Sequence, residues 1–228
     1  MPPAPESTAW EKPPSSPRLP VPCLMLITDR CLAGEADALV HAVSEAVEGG
    51  VTAVQLREKD LLPKELLPLA QRLRIVTRGH AFLIINGPLE VALAAEADGV
   101  HLPEHAPMVA RPQRPFFIGR SVHSLEAAIA AWAECSDYLI AGPIFETASH
   151  PTAAPAGPQL IESIAVAVAI PVLAVGGITV ERVGDLLRAG AAGVAVVSDI
   201  LSAQSPAKAA RRLKNALTEE SSLVERVY

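Results

Sequence analysis

The sequence predicts a single (β/α)8 TIM barrel, on three observations. Short apolar runs bounded by Gly, Pro or polar residues recur along the chain, as strands buried on both faces of a parallel sheet require. Each run is followed, in most cases, by a segment with apolar residues at helical spacing. Nearly every run also ends in polar residues, which a barrel gathers at one mouth. An open doubly wound sheet explains the alternation equally well but not the polar strand ends, so it is the runner-up. At 228 residues the chain suits one such core better than two small domains.

Residues 1–20 hold too many Pro and Ser for a helix or strand and are expected to be a disordered tail. The barrel is expected over 21–218, and a C-terminal tail over 219–228. Cys23–Thr28 reads as the first strand, ending in Asp29-Arg30. Its helix spans about Glu35–Glu48, with Gly49-Gly50 as the stop. Thr52–Leu56 is the second strand and delivers Arg57-Glu58-Lys59-Asp60 at its end. A helix over Leu62–Thr77 tolerates Pro63 in its first turn. Phe82–Ile85 leads to Asn86-Gly87 and a short helix over Leu89–Ala95. Gly99–Leu102 carries His101 near its end, and Phe116–Ile118 delivers Gly119-Arg120-Ser121-Val122-His123. A helix over Leu125–Cys135 precedes the sixth strand, Asp137–Ala141. A long loop then runs from Gly142 to Gly157 and carries His150, before a helix from about Gln159.

The stretch from Ile170 to Ser198 organises the rest. Ile170–Val175 is a buried strand that stops at Gly176-Gly177, and Thr179 is placed as the N-cap of a helix through Leu187. A second apolar run ends at Val197-Ser198, a turn into the last helix. Two glycines after a strand let backbone amides approach an anion closely, and a second turn of small residues adds donors. Phosphate binding by the loops after the last two strands recurs in such barrels. Gly176, Gly177, Val197 and Ser198 are therefore the candidate phosphate cradle. The bland reading is that the glycines only permit a tight turn.

Gln55, Arg57, Lys59, Asn86, His101, Ser121 and His123 are expected to face the same mouth. Arg57 and Lys59 lie two apart in extended chain, so both can point one way and bind a carboxylate or second phosphate. An ion pair with Glu58 or Asp60 on the rim is the alternative. His101 and His123 stand where an acid–base residue is wanted, while His150 lies on a loop that can close over the mouth.

The net charge of −6 gives no global attraction to nucleic acid or acidic membranes. No apolar run spans a bilayer and no signal-peptide core is seen, and the three cysteines form no metal motif, so a reduced, cytoplasmic protein is expected.

Taken together, Gln55-Leu56-Arg57-Glu58-Lys59-Asp60, Asp98-Gly99-Val100-His101-Leu102, Gly142-Pro143-Ile144-Phe145, Val175-Gly176-Gly177-Ile178 and Val197-Ser198 resemble the thiamin phosphate synthase and thiazole tautomerase family, from about Met25 to Leu217. The resemblance implies a small phosphorylated thiazole as ligand and a homodimer. The synthase branch joins a pyrimidine pyrophosphate to a thiazole phosphate and holds magnesium on two aspartates. Those positions read Gly87 and Ala106 here, Glu104 is a lone substitute, and the pyrophosphate-binding lysine of the sixth loop is replaced by His150. Ile85-Asn86-Gly87, His101-Leu102-Pro103, Gly119 through Glu126 and Phe145-Glu146-Thr147 look more like the tautomerase branch, which moves a proton to aromatise a thiazole carboxylate phosphate. The implied function is therefore a metal-independent tautomerase with no cofactor. The alternatives are the synthase, with magnesium, or a non-catalytic thiazole phosphate-binding or regulatory protein. The tautomerase's proposed catalytic histidine position reads Pro143, so the proton carrier is sought at His123, then His150, then His101.

Overall fold

A computed structural model describes residues 17–147 and 154–224. Eight parallel strands close into a barrel in chain order: β1 (Cys23–Ile27), β2 (Ala53–Leu56), β3 (Phe82–Ile85), β4 (Gly99–Leu102), β5 (Phe117–Val122), β6 (Tyr138–Ala141), β7 (Val172–Val175) and β8 (Gly193–Val196). Pairing of β1 with β8, Cys23 against Gly193 through Leu26 against Val196, completes the ring. The helices are α1 (Arg30–Ala33), α2 (Glu35–Glu48), α3 (Pro63–Thr77), α4 (Leu89–Ala94), α5 (Leu125–Ala133), α6 (Pro158–Ala167), α7 (Val183–Arg188), α8 (Ser198–Leu201) and α9 (Pro206–Val224). Only a loop joins β4 to β5. No helix among the described residues is long and apolar enough to cross a membrane.

Alternation along the strands splits the core in two. Leu24, Leu26, Val54, Leu56, Leu83 and Ile85 face outward and pack under the helices. Cys23, Met25, Ile27, Ala53, Ile84, Phe117, Tyr138, Ile140, Leu173 and Ala195 fill the barrel interior. Successive strand side chains point to opposite faces, so one apolar run serves both cores. That double burial is why the strands lack a polar face.

Four expectations need correction. The segment 17–20 is not all tail, because Leu19 is buried against the interior cluster before β1; residues 1–16 lie outside the described residues. The C-terminal segment from 219 is not a separate tail through 224, because α9 runs on to Val224. Thr179 does not cap a helix with its side chain: Val180–Arg182 form a 3-10 turn before α7 begins. The fifth strand is also longer than its apolar run, taking in Gly119, Arg120, Ser121 and Val122.

Candidate functional site

A cavity of about 630 Å³ opens at the C-terminal ends of the strands, a volume typical of small-molecule sites. Gln55, Arg57, Asn86, His101, Ser121 and His123 form one side of its lining. Gly176, Gly177, Val197 and Ser198 form the other, joined by Asp29, Glu146, Arg182 and Asp199. One expected member is not brought in, and one is not described. Lys59 is exposed and does not line the cavity, and His150 lies outside the described residues.

The β7 turn shows what its glycines are for. Gly176 and Gly177 have positive φ, 98° and 61°. A Cβ on Gly176 would meet Pro143, and one on Gly177 would meet the Glu146 carbonyl, both closer than 3.0 Å. The segment after β6 lies directly across the turn, held by Ile144 N–H to Val175 O (2.8 Å) and Phe145 N–H to Gly176 O (3.1 Å). A bulky residue at 177 therefore displaces the loop after β6 as well as any ligand. Among the described residues, no turn or loop hydrogen bond uses the N–H groups of Gly177, Ser198 or Asp199. These amides are the donors left for an anion.

On the opposite wall, Thr28 Oγ donates to Glu58 (2.6 Å), the Arg30 N–H donates to the same carboxylate (3.1 Å), and the Arg57 N–H donates to Thr28 Oγ (3.0 Å). Burial raises the Glu58 pKa against these hydrogen bonds. The rim ion pairs expected for Arg57 form instead between Arg30 and Asp60 and, more loosely, Glu58. Arg57, half-buried, pairs with no carboxylate among the described residues, and burial lowers its pKa. Its backbone is pinned while its charge stays available to a ligand. Arg57 in turn lowers the Lys59 pKa.

Across β4, β5 and β6, His101, Gly119 and Tyr138 stand side by side in register. With no side chain at Gly119, the Tyr138 hydroxyl reaches His101 Nδ1 (3.2 Å), and His101 Nε2 meets Ser121 Oγ (2.8 Å). Asn86 Nδ2 donates to the His101 carbonyl (3.0 Å). Burial, with Arg57 and Arg120 nearby, pushes the His101 pKa down to about 3. Burial, with Cys23 and Asp137 adding to it, pushes the Tyr138 pKa well up, while Gln55 hydrogen-bonds the phenol. Both groups are therefore neutral, and His101 lines the cavity bridged between Tyr138 and Ser121. If Tyr138 donates to Nδ1, then Nε2–H donates to Ser121, leaving the serine proton for the cavity.

This histidine has a pH signature. Its folded pKa is depressed, so below about 6.5 the unfolded chain binds a proton that the fold refuses. Stability should fall as pH drops from 6.5 towards 3, by about 1.4 kcal/mol per unit for this group. Urea unfolding of His101→Asn should show a shallower acid slope; an unchanged slope would remove His101 as its source.

His123 follows β5 and is held by one carboxylate. Glu104 Oε2 accepts from the His123 N–H (2.7 Å) and meets its Nδ1 (2.8 Å). Burial alone would raise the Glu104 pKa, but these bonds outweigh it and lower it. The ring is thus oriented with Nε2 away from the carboxylate, a geometry used for acid–base histidines. Arg120 holds the same loop from below, donating to the carbonyls of Glu104 (2.9 Å) and Ala106 (2.7 Å).

The donor set does not fit the magnesium of the synthase branch. Gly87 and Ala106 offer no carboxylate, Glu104 is occupied by His123, and no three His, Cys, Asp or Glu among the described residues group as a metal would need. Sequence reasoning missed Tyr138, Arg182 and the true partner of Glu104. Only the polar Tyr inside an apolar strand left a readable signal.

Residues 24–200 match the TMP-TENI family model, thiamine monophosphate synthase. A thiamine-phosphate synthase from Methanospirillum hungatei is 42% identical over 196 residues, covering 83% of this chain and 94% of that protein. One from Pyrococcus abyssi is 41% identical over 200 residues, covering 86% and 95%. A solved thiamine phosphate pyrophosphorylase from Pyrococcus furiosus superposes with a TM-score of 0.76 at 35% identity, covering 87% of this chain and 96% of its own. The chain belongs to this family. The names of these relatives favour the synthase alternative over the tautomerase put first on sequence grounds.

Proposed function

We propose that this member of the thiamine monophosphate synthase family is a thiamine-phosphate synthase, an enzyme of thiamine biosynthesis that joins two rings in one cavity. The observation that carries the reading is the likeness to thiamine-phosphate synthases at 41–42% identity over most of both chains; a cavity of about 630 Å³ with polar residues on both sides is available to hold the substrates. The thiazole phosphate sits with its phosphate on the β7 and β8 turns. The pyrimidine sits against Gln55, Asn86 and Ser121, with its pyrophosphate towards Arg57. Holding both removes the entropy cost of their encounter. As pyrophosphate leaves, Arg57 faces the developing charge. Ser121, fixed by His101 and Tyr138, donates to a ring acceptor.

The His123–Glu104 pair favours a second reading, the metal-independent tautomerase. There His123 Nε2 removes a ring proton and returns one to the exocyclic carbon, and Glu104 holds the ring. One experiment separates the readings. Purified protein is given both synthase substrates, with magnesium and with chelator, and separately the thiazole carboxylate phosphate tautomer. Thiamin phosphate as product supports the synthase. Ring aromatisation without it, lowered roughly 10²-fold by His123→Gln, supports the tautomerase. Binding with neither reaction sinks both and leaves a binding protein.

A further inference from the structure

We propose that Arg182 is a direct ligand of the bound phosphate as well as a latch for the segment after β6. The inference rests on the β7 and β8 turns being the anion site, and not on which ring chemistry follows. Arg182 closes the 3-10 turn after β7 and lines the same cavity as Gly176, Gly177, Val197 and Ser198. It makes no ion pair with a carboxylate among the described residues. Its neighbour Asp185 pairs with Arg188 (2.6 Å), and Glu181 is hydrogen-bonded by Thr179. A half-buried cation beside unpartnered amides is an unmet demand for negative charge.

The guanidinium is also oriented. Its Cζ lies 4.3 Å from the centroid of the Phe145 ring, and Nη1 donates to the Gly177 carbonyl. The stack fixes the plane of the fork and the carbonyl fixes one corner, so the remaining N–H groups are held in place before a ligand arrives. Because Phe145 belongs to the segment crossing the turn, the same side chain ties that segment to the anion site. A phosphate bound by Arg182 is thereby coupled to the placing of Pro143–Glu146.

The test is calorimetric and needs no turnover. Inorganic phosphate, thiazole phosphate and the same thiazole without its phosphate are titrated into the unaltered protein, Arg182→Gln, Arg182→Lys and Phe145→Leu. Arg182→Gln should weaken both phosphate-bearing probes roughly 10- to 100-fold, the range of a charge-assisted hydrogen bond, and leave the unphosphorylated thiazole unchanged. Arg182→Lys should recover most of the loss, and Phe145→Leu should show an intermediate one. Equal weakening of phosphorylated and unphosphorylated thiazole would reduce Arg182 to a latch and overturn the proposal. Unchanged phosphate affinity in Arg182→Gln would overturn it outright. If the unaltered protein binds neither phosphate probe, the anion-site reading beneath it falls first.

Discussion

Arg57→Ala should lower kcat/KM for the pyrophosphate substrate about 10²- to 10³-fold, the usual cost of removing a preorganised charge from a developing anion. The residue is suited to that task because it is placed twice over. Its backbone N–H is held by Thr28, which Glu58 holds in turn, so the end of β2 does not drift. Its side chain has no carboxylate partner among the described residues, so binding need not first break an ion pair. Arg57→Lys should recover part of the loss, since a point charge remains but the two-pronged geometry does not. If Arg57 acts in the transition state, kcat should carry most of the change; a rise confined to KM would assign it to ground-state binding. Full activity in Arg57→Ala would remove it from the site.

The barrel was legible because burial on both faces leaves a mark that no polar face dilutes. Where a strand breaks that rule, the reading broke too. Phe116–Ile118 stood out as apolar, yet β5 runs to Val122 through Arg120 and Ser121. Arg120 is buried because loop carbonyls at Glu104 and Ala106 and the Glu134 carboxylate (3.1 Å) together solvate its guanidinium, and nothing near it in sequence announces them. Glu104 misled for the same reason, since its partner His123 is 19 residues away. Gly176 and Gly177 were rightly picked out, but half the cause was invisible: they make room for the crossing segment at Pro143–Glu146. Arg57 and Lys59 show the limit of spacing arguments. Alternation allows both to face the mouth, but β2 ends at Leu56, and Lys59 stands beyond the strand where the alternation no longer holds.

The site's metal question turns on the same long-range contacts. A pocket that loses two carboxylates must place its positive charge elsewhere. Arg57 on one wall and Arg182 on the other are side chains that hold it permanently, whatever the metal concentration. Glu104 is engaged by His123 instead, so among the described residues it is not left open to a metal. The synthase and tautomerase readings thus differ in what the ring chemistry asks of one shared frame.

Gly119→Ala should destabilise the barrel by roughly 3 kcal/mol, lowering Tm by roughly 6–12 °C. The added Cβ would lie closer than 3.0 Å to the Tyr138 ring and its hydroxyl. That ring is fully buried and wedged edge-on against Phe117 at 6.3 Å, so it has little room to retreat. Backbone movement is no easier, because β5 is bonded to a strand on each side. Whatever relief occurs must draw the phenol away from His101 Nδ1, which frees the imidazole to turn and releases Ser121. Activity at a temperature where the variant is still folded should therefore fall as well. Tyr138→Leu supplies the control: alone it costs stability by leaving a void, but combined with Gly119→Ala the two losses should sum to less than their separate values, because the clash is gone. Strict additivity in that cycle would mean that Tyr138 is not what keeps position 119 a glycine.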